Sequence, residues 1–211
     1  MSVGAITLPR FVPAPTPPNG AEVRARALVG RIQAGELGAF DELYQLTRAD
    51  VARTLFHLVG RRADLEDLLQ ETYLSLLKAV KSYRGESAFR TFLYRVCANV
   101  ALQHLRWWRR RPEEQGGDLP DLASSAASPE AQAQAREAQA LVARALEQLT
   151  AKKRIVFVFH ELMGLGPEEI AEAVDASPNT VRSRLHHARL EFTFALRRIV
   201  RDGKGGAHAF P

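Results

Sequence analysis

The chain has little cysteine chemistry: Cys97 is alone among 211 residues, inside an apolar helical pattern. A lone cysteine excludes an intrachain disulfide and any cysteine-clustered zinc site, and a buried, unreactive thiol is its default state. No glycine-rich phosphate loop, nucleophile elbow or metal-ligand spacing occurs. His186 and His187 are adjacent, so on a helix they point in different directions and do not pair as ligands. An enzyme is therefore the least supported class, with no catalytic residue, metal or cofactor expected. No apolar run approaches the ~20 residues of a membrane span. The first residues lack the basic segment and apolar core of a signal peptide. The expectation is a cytoplasmic protein without stable membrane insertion.

Acids are missing from two stretches and cations from a third. The formal net charge is +5, a mild bias that many proteins without a polyanionic partner share. Its distribution says more. Lys78 to Arg111 has Glu86 as its only acid, and Arg182 to Arg201 has only Glu191. Between them, residues 112–135 carry Glu113, Glu114, Asp118, Asp121 and Glu130 but no Lys or Arg. Two basic helical regions joined by an acidic connector suit a protein that grips DNA at two places. Two solvated helix surfaces and a soluble linker would carry the same charges.

Residues 1–20 contain Pro9, Pro13, Pro15, Pro17 and Pro18 and read as a flexible or extended tail. Apolar periodicity then predicts helices over about 22–32 and 37–58, the latter with Phe40, Leu43, Tyr44, Val51, Leu55 and Phe56. A third helix over 64–83 presents Leu65, Leu68, Leu69, Thr72, Tyr73, Leu76, Leu77 and Val80 as one apolar face. Asp64, Glu66, Asp67 and Glu71 lie in its first turns and Lys78 and Lys81 toward its end, an order that complements the helix dipole. After a break at Arg84-Gly85-Glu86, Ser87 can cap a fourth helix that Pro112 ends. Phe89, Phe92, Leu93, Val96, Val100 and Leu105 can face inward, and Arg90, Arg95 and Arg106 can reach solvent. Residues 112–135 are long for a connection inside one compact domain and read as a flexible linker. Helix resumes near Ala131, and Ile155 to Phe159, strand-like in isolation, reads as helix because no turn signal interrupts 151–163. The expected fold is all-α: two small helical domains, 21–111 and 136–201, with tails at 1–20 and 202–211.

The sharpest feature is PEEIAEAVDASPNTVRSRLHHARL, Pro167 to Leu190. Pro167 suits a first helical position, Asp175-Ala176-Ser177 forms a turn, and Ser177 with Pro178 starts a second helix. Val181, Leu185, Ala188 and Phe192 pack inward, leaving Asn179, Arg182, Ser183, His186 and His187 on the opposite side. This helix-turn-helix can enter a major groove, with Asn179 and Arg182 as candidates for bases and Arg184, Arg189 and Arg197 for phosphates. An ordinary helix pair shares the pattern. In the first domain, rings interleave with cations at Tyr83, Arg84, Phe89, Arg90, Phe92, Tyr94, Arg95, Trp107, Trp108 and Arg109. A protein that opens a duplex needs both kinds of group, cations for phosphate and rings for unstacked bases. Phe89 and Phe92 follow the apolar face and read as core, whereas Tyr83, Arg84 and the following loop are placed for a melted strand. Trp107 and Trp108 fit either a domain surface or DNA.

Taken together, the sequence resembles the extracytoplasmic-function members of the sigma-70 family. AFDELYQL (39–46), DLEDLLQETYLSLLKA (64–79) and YRGESAFRTFLYRVCANVALQHLR (83–106) resemble the first family domain, and TVRSRLHHAR (180–189) the recognition helix of the second. The resemblance implies a non-enzymatic promoter-recognition subunit. Asp64, Asp67, Gln70 and Glu71 would contact the clamp helices of core RNA polymerase. Tyr83, Arg84, Ser87, Arg95 and Asn99 would meet the −10 element. Asn179, Arg182, Ser183, Arg184, His187 and Arg189 would meet the −35 element. It also implies a contact with the polymerase flap, and an anti-sigma factor as a further partner. Phe92 replaces a usual Trp, Gln103 a usual Asp, and Asp175-Ala176 a usual Leu-Gly. Two rivals make different demands: a palindrome-binding helix-turn-helix repressor with a dimerisation or sensor module, and a protein-interaction adaptor without salt-dependent DNA affinity.

Overall fold

The computed structural model describes residues 19–36, 38–60, 65–108 and 129–205; side chains at 19, 108, 129–136 and 203–205 are not part of that description. Residues 1–18 of the proline-rich tail, Asp64 and residues 112–128 of the acidic linker therefore lie outside the described residues, as do Arg109 to Arg111 and the side chain of Trp108, whereas 129–135, expected as flexible linker, already belong to the first turns of α5. All described elements are helical: α1 (Asn19–Gln33), α2 (Gly38–Val59), α3 (Leu65–Ala79) with a 3-10 turn (Val80–Ser82), α4 (Phe89–Trp108), α5 (Pro129–Glu147), α6 (Ala151–Phe157) running into a π-turn (Val158–Leu162), α7 (Pro167–Ala173) and α8 (Pro178–Gly205).

Helices α1–α4 wrap one set of apolar side chains, among them Leu28, Leu43, Leu55, Leu68, Leu76 and Phe89, all almost fully buried. Helices α5–α8 do the same around Leu146, Leu149, Ile155, Phe159, Ile170, Leu185 and Phe192. Each such side chain contributes roughly 1.5–3 kcal/mol on burial. The expected apolar face of α3 is only partly buried: Leu77 is exposed, and so is Leu74. A helical stripe wider than the groove it packs into leaves its edge outside, and here α2 and α4 cover only the Leu68, Leu69, Thr72, Tyr73 and Leu76 side.

The two helical groups share one core. Tyr94 of α4 stacks on Phe159 with ring centroids 5.3 Å apart. The Met163 sulfur accepts from Thr54 Oγ1 (3.6 Å) and Tyr94 OH (3.7 Å), and the Met163 carbonyl accepts from Arg90. Arg90, expected in solvent, is thus turned into this joint. Arg154, buried in α6, donates to the carbonyls of Leu58 (3.1 Å) near the end of α2 and Glu147 (3.1 Å) at the end of α5. Helix C-termini carry unpaired carbonyls and the negative end of the dipole, so a guanidinium between two of them satisfies both groups at once. Replacing it by Arg154→Met keeps the stem but leaves those carbonyls short of a donor; a loss of about 2–3 kcal/mol in urea unfolding is expected, and a change below about 0.5 kcal/mol would refute the bridge.

Candidate functional site

The helix-turn-helix forms because its local signals agree. Pro167 opens α7, where its missing N–H leaves nothing unpaired, and Glu169 accepts from the Gly166 N–H at 2.8 Å to complete the start. The turn closes through Ala176 N–H to the Ala171 carbonyl (3.0 Å), with Asp175 in the left-handed region at φ 49°. Aspartate tolerates that conformation better than most residues with a Cβ. Val174 and Ala176 beside it stay packed on the core. Ser177 Oγ then accepts from Thr180 N–H (3.1 Å), and α8 begins at Pro178.

On α8, Val181, Leu185, Ala188 and Phe192 are buried, as the spacing predicts. Asn179, Arg182, Ser183, His186, His187 and Arg189 are exposed, and Arg184 is half-buried. Three of these residues hold partners within the chain. Arg182 donates to Asn179 Oδ1 (3.1 Å) and pairs with Glu168 of α7; Arg189 Nε donates to Glu161 at 2.6 Å. The polar face continues into Leu190 and Phe194, 58% and 70% exposed. Sequence periodicity did not single out this apolar extension, because residues of the same type four positions apart read equally well as core.

The segment between α3 and α4 is the second surface. The Tyr83 ring packs on Phe92 (4.7 Å between centroids) and Phe89 (6.0 Å), and its hydroxyl donates to the Ser87 carbonyl at 2.6 Å. Gly85 turns the chain at φ 75°, and Arg84 and Glu86 are exposed. Ser87 does not cap α4 as expected: Glu22 of α1 accepts from the backbone N–H groups of Phe89 (2.6 Å) and Arg90 (3.3 Å) in its place. A full carboxylate meets the positive helix end more strongly than a serine hydroxyl. Asn99 faces solvent, whereas Arg95, expected in solvent, is half-buried and donates to the Glu172 carbonyl (2.8 Å) and pairs with its carboxylate.

The third surface is a groove of about 470 Å³ between α2 and α3, with Phe40, Tyr44, Leu74 and Leu77 on its walls and Asp67 and Gln70 at its rim. Glu66 and Glu71 are exposed on the same helix. An apolar floor with an acidic rim fits a helical partner that is apolar on one side and basic at its edges. Among the described residues there is no cluster of His, Cys, Asp or Glu that could hold a metal, and no helix long and apolar enough to cross a membrane.

Residues 43–111 match Sigma-70 region 2, and residues 139–192 match Sigma-70, region 4. The ECF RNA polymerase sigma-E factor of Haemophilus influenzae is 33% identical over 172 residues, covering 78% of this chain and 90% of that protein. The sigma-E factor of Escherichia coli is 34% identical over 176 residues, with the same coverage of 78% and 90%. In fold, the chain resembles CnrH in its complex with the cytosolic domain of CnrY (TM-score 0.61, 21% identity, 83% of this chain and 98% of that one). It also resembles the sigma factor RpoE of Bartonella quintana in its complex with the anti-sigma factor NepR (TM-score 0.56, 20% identity, 75% and 96%).

The left-handed turn residue makes a testable demand. Asp175→Val, β-branched at positive φ, is expected to cost about 1–2 kcal/mol in urea unfolding, while Asp175→Gly is tolerated. Equal stability of the valine variant would contradict a left-handed turn at this position.

Proposed function

The chain belongs to the sigma-70 family, within its extracytoplasmic-function group, and on that premise we propose how its surfaces divide the work of promoter recognition. Its function is that of the family: a non-catalytic, dissociable subunit that directs RNA polymerase to promoter DNA. Residues 21–111 form the polymerase-binding and −10 domain, 136–201 form the −35 domain, and 112–135 link them.

The observation that carries the assignment is α8: one side wholly buried, the other polar and cationic, leading from a capped N-terminus. Such a helix enters the −35 major groove with its first turns on base edges. Asn179 and Arg182 read bases; Arg184, Arg189 and Arg197 hold phosphates, with Ser183 and His187 between them. The pairs Arg182–Glu168 and Arg189–Glu161 exchange a carboxylate for a base or phosphate. Exposed ion pairs contribute only about 0–1 kcal/mol, so this exchange is easy. The α3 rim of Asp67, Gln70 and Glu71, extended by Leu74 and Leu77, docks on the polymerase clamp helices, with Asp64 before it.

Tyr83, Arg84 and Ser87, with Arg95 and Asn99, engage the −10 strand once it is melted. The exposed Arg84 and the half-buried Tyr83 ring offset the lost base stacking there. For Arg95 this means giving up Glu172. The second domain also reaches the polymerase flap, and the acidic linker follows the polymerase's positively lined interior toward the RNA exit path. The complex of the sigma factor RpoE with the anti-sigma factor NepR supports an anti-sigma partner for this chain.

Two measurements test the division. Asp67→Lys combined with Glu71→Lys in the full chain is expected to lower core-polymerase affinity at least about tenfold, since like charges now face a basic partner, with helicity unchanged; retained affinity sinks the docking assignment. In holoenzyme binding, Arg182→Ala is expected to cost about 1–3 kcal/mol and relax discrimination at one −35 base pair, while Arg184→Ala weakens all sequences alike and lowers the salt slope by about one. Identical behaviour of the two variants would overturn the base-and-phosphate division.

A further inference from the structure

The segment that carries Tyr83, Arg84 and Ser87 has few bonds of its own. Tyr83 N–H donates to the Val80 carbonyl (3.2 Å), Ser82 Oγ to Ala79 (2.9 Å), and Tyr83 OH to Ser87 (2.6 Å). Its path is held largely from α1. Gln33 Nε2 donates to the carbonyls of Val80 and Tyr83, both at 2.8 Å, at the entry to the loop. Arg26 Nη2 donates to the Ser87 carbonyl (3.0 Å), and Glu22 takes the first amides of α4 at the exit. Glu22 also holds Arg26 Nε at 2.8 Å, which fixes the guanidinium in place.

Glu22, Arg26 and Gln33 are spaced four and seven residues apart, so they lie along one face of a single straight helix, over a length of roughly 16 Å. Ala25, Leu28 and Val29, buried between them, anchor that helix to the core. Every bond from Arg26 and Gln33 to the segment ends on its backbone. Arg84 and Glu86 are thereby left to point outward, while the Tyr83 ring rests on Phe89 and Phe92. A flexible loop that must hold an unstacked strand loses part of its binding free energy to its own ordering unless it is held in shape beforehand.

We infer that α1, which precedes the region-2 match at residues 43–111, is the positioning element of the −10 loop, with Gln33, Arg26 and Glu22 as positioning residues that touch no DNA. This rests on the −10 reading of residues 83–87 given above.

Gln33 is exposed, so it can be changed without disturbing packing. Gln33→Glu is isosteric but cannot donate to either carbonyl; Gln33→Arg restores donors. The experiment uses holoenzyme on a promoter selected by the protein from a random library, with 2-aminopurine fluorescence in the −10 element reporting opening. Gln33→Glu is expected to lower the opening equilibrium about tenfold, the effect of losing about two net hydrogen bonds. Core-polymerase affinity should stay within twofold, and Gln33→Arg should recover opening. Normal opening by Gln33→Glu, or parallel loss of opening and polymerase affinity, overturns the inference. Arg84→Ala separates the two levels. If it abolishes opening while Gln33→Glu does not, only the positioning role fails. If Arg84→Ala opens normally, the −10 reading fails and the inference with it.

Discussion

A buried cation between two helix ends organises this molecule. Arg154 is 6% exposed, and its guanidinium reaches the carbonyl ends of both α2 and α5. A charge is retained at such depth only where it is hydrogen-bonded, and helix C-termini offer unpaired acceptors of the right sign. Once α6 is held there, Phe159 meets Tyr94 and Met163 falls between Thr54, Tyr94 and Arg90. The placement of α7 against α4, with Arg95 on Glu172, goes with it.

The same economy governs cations nearer the surface. Arg95, Arg182 and Arg189 each rest on a glutamate of this chain, Glu172, Glu168 and Glu161. Two of those acids, Glu168 and Glu172, lie on α7, the helix that leads through the turn into α8. The carboxylates sit where an anionic ligand would sit, which keeps the cations solvated, extended and aimed without committing them. Exposed pairs of this kind are weak and salt-screened. The surface therefore stays adaptable while the scaffold beneath it is rigid.

What was legible in the sequence was what is local. Pro167, Ser177 and Pro178 act within a few residues, and the spacing of Val181, Leu185, Ala188 and Phe192 reports one helix face, so the helix-turn-helix is found where it was expected. Helix α6 likewise continues through a segment of strand-like composition, because burial on several sides favours Ile, Val and Phe in either state. Contacts across the chain were not legible. Glu22 capping α4 spans 67 residues and Arg95 on Glu172 spans 77; no periodicity encodes which acid meets which helix end. Nor does periodicity tell how much of an apolar stripe its neighbours cover, which is why Leu74 and Leu77 are exposed on α3. Asp64 and residues 112–128 of the acidic linker lie outside the described residues.

The joint between the helical groups has a kinetic consequence. Its contacts join residues as far apart as Thr54 and Met163, 109 positions along the chain, whereas consecutive helices within each group, such as α1 with α2 and α7 with α8, are near neighbours. Closing so long a loop carries an entropic cost that must be met before its contacts reward it. The helix pairs are thus the early structures and the joint the late one. Separating the joint unwinds no helix, but it breaks the side-chain hydrogen bonds and the stacked pair that cross it and uncovers the apolar side chains that the two groups share.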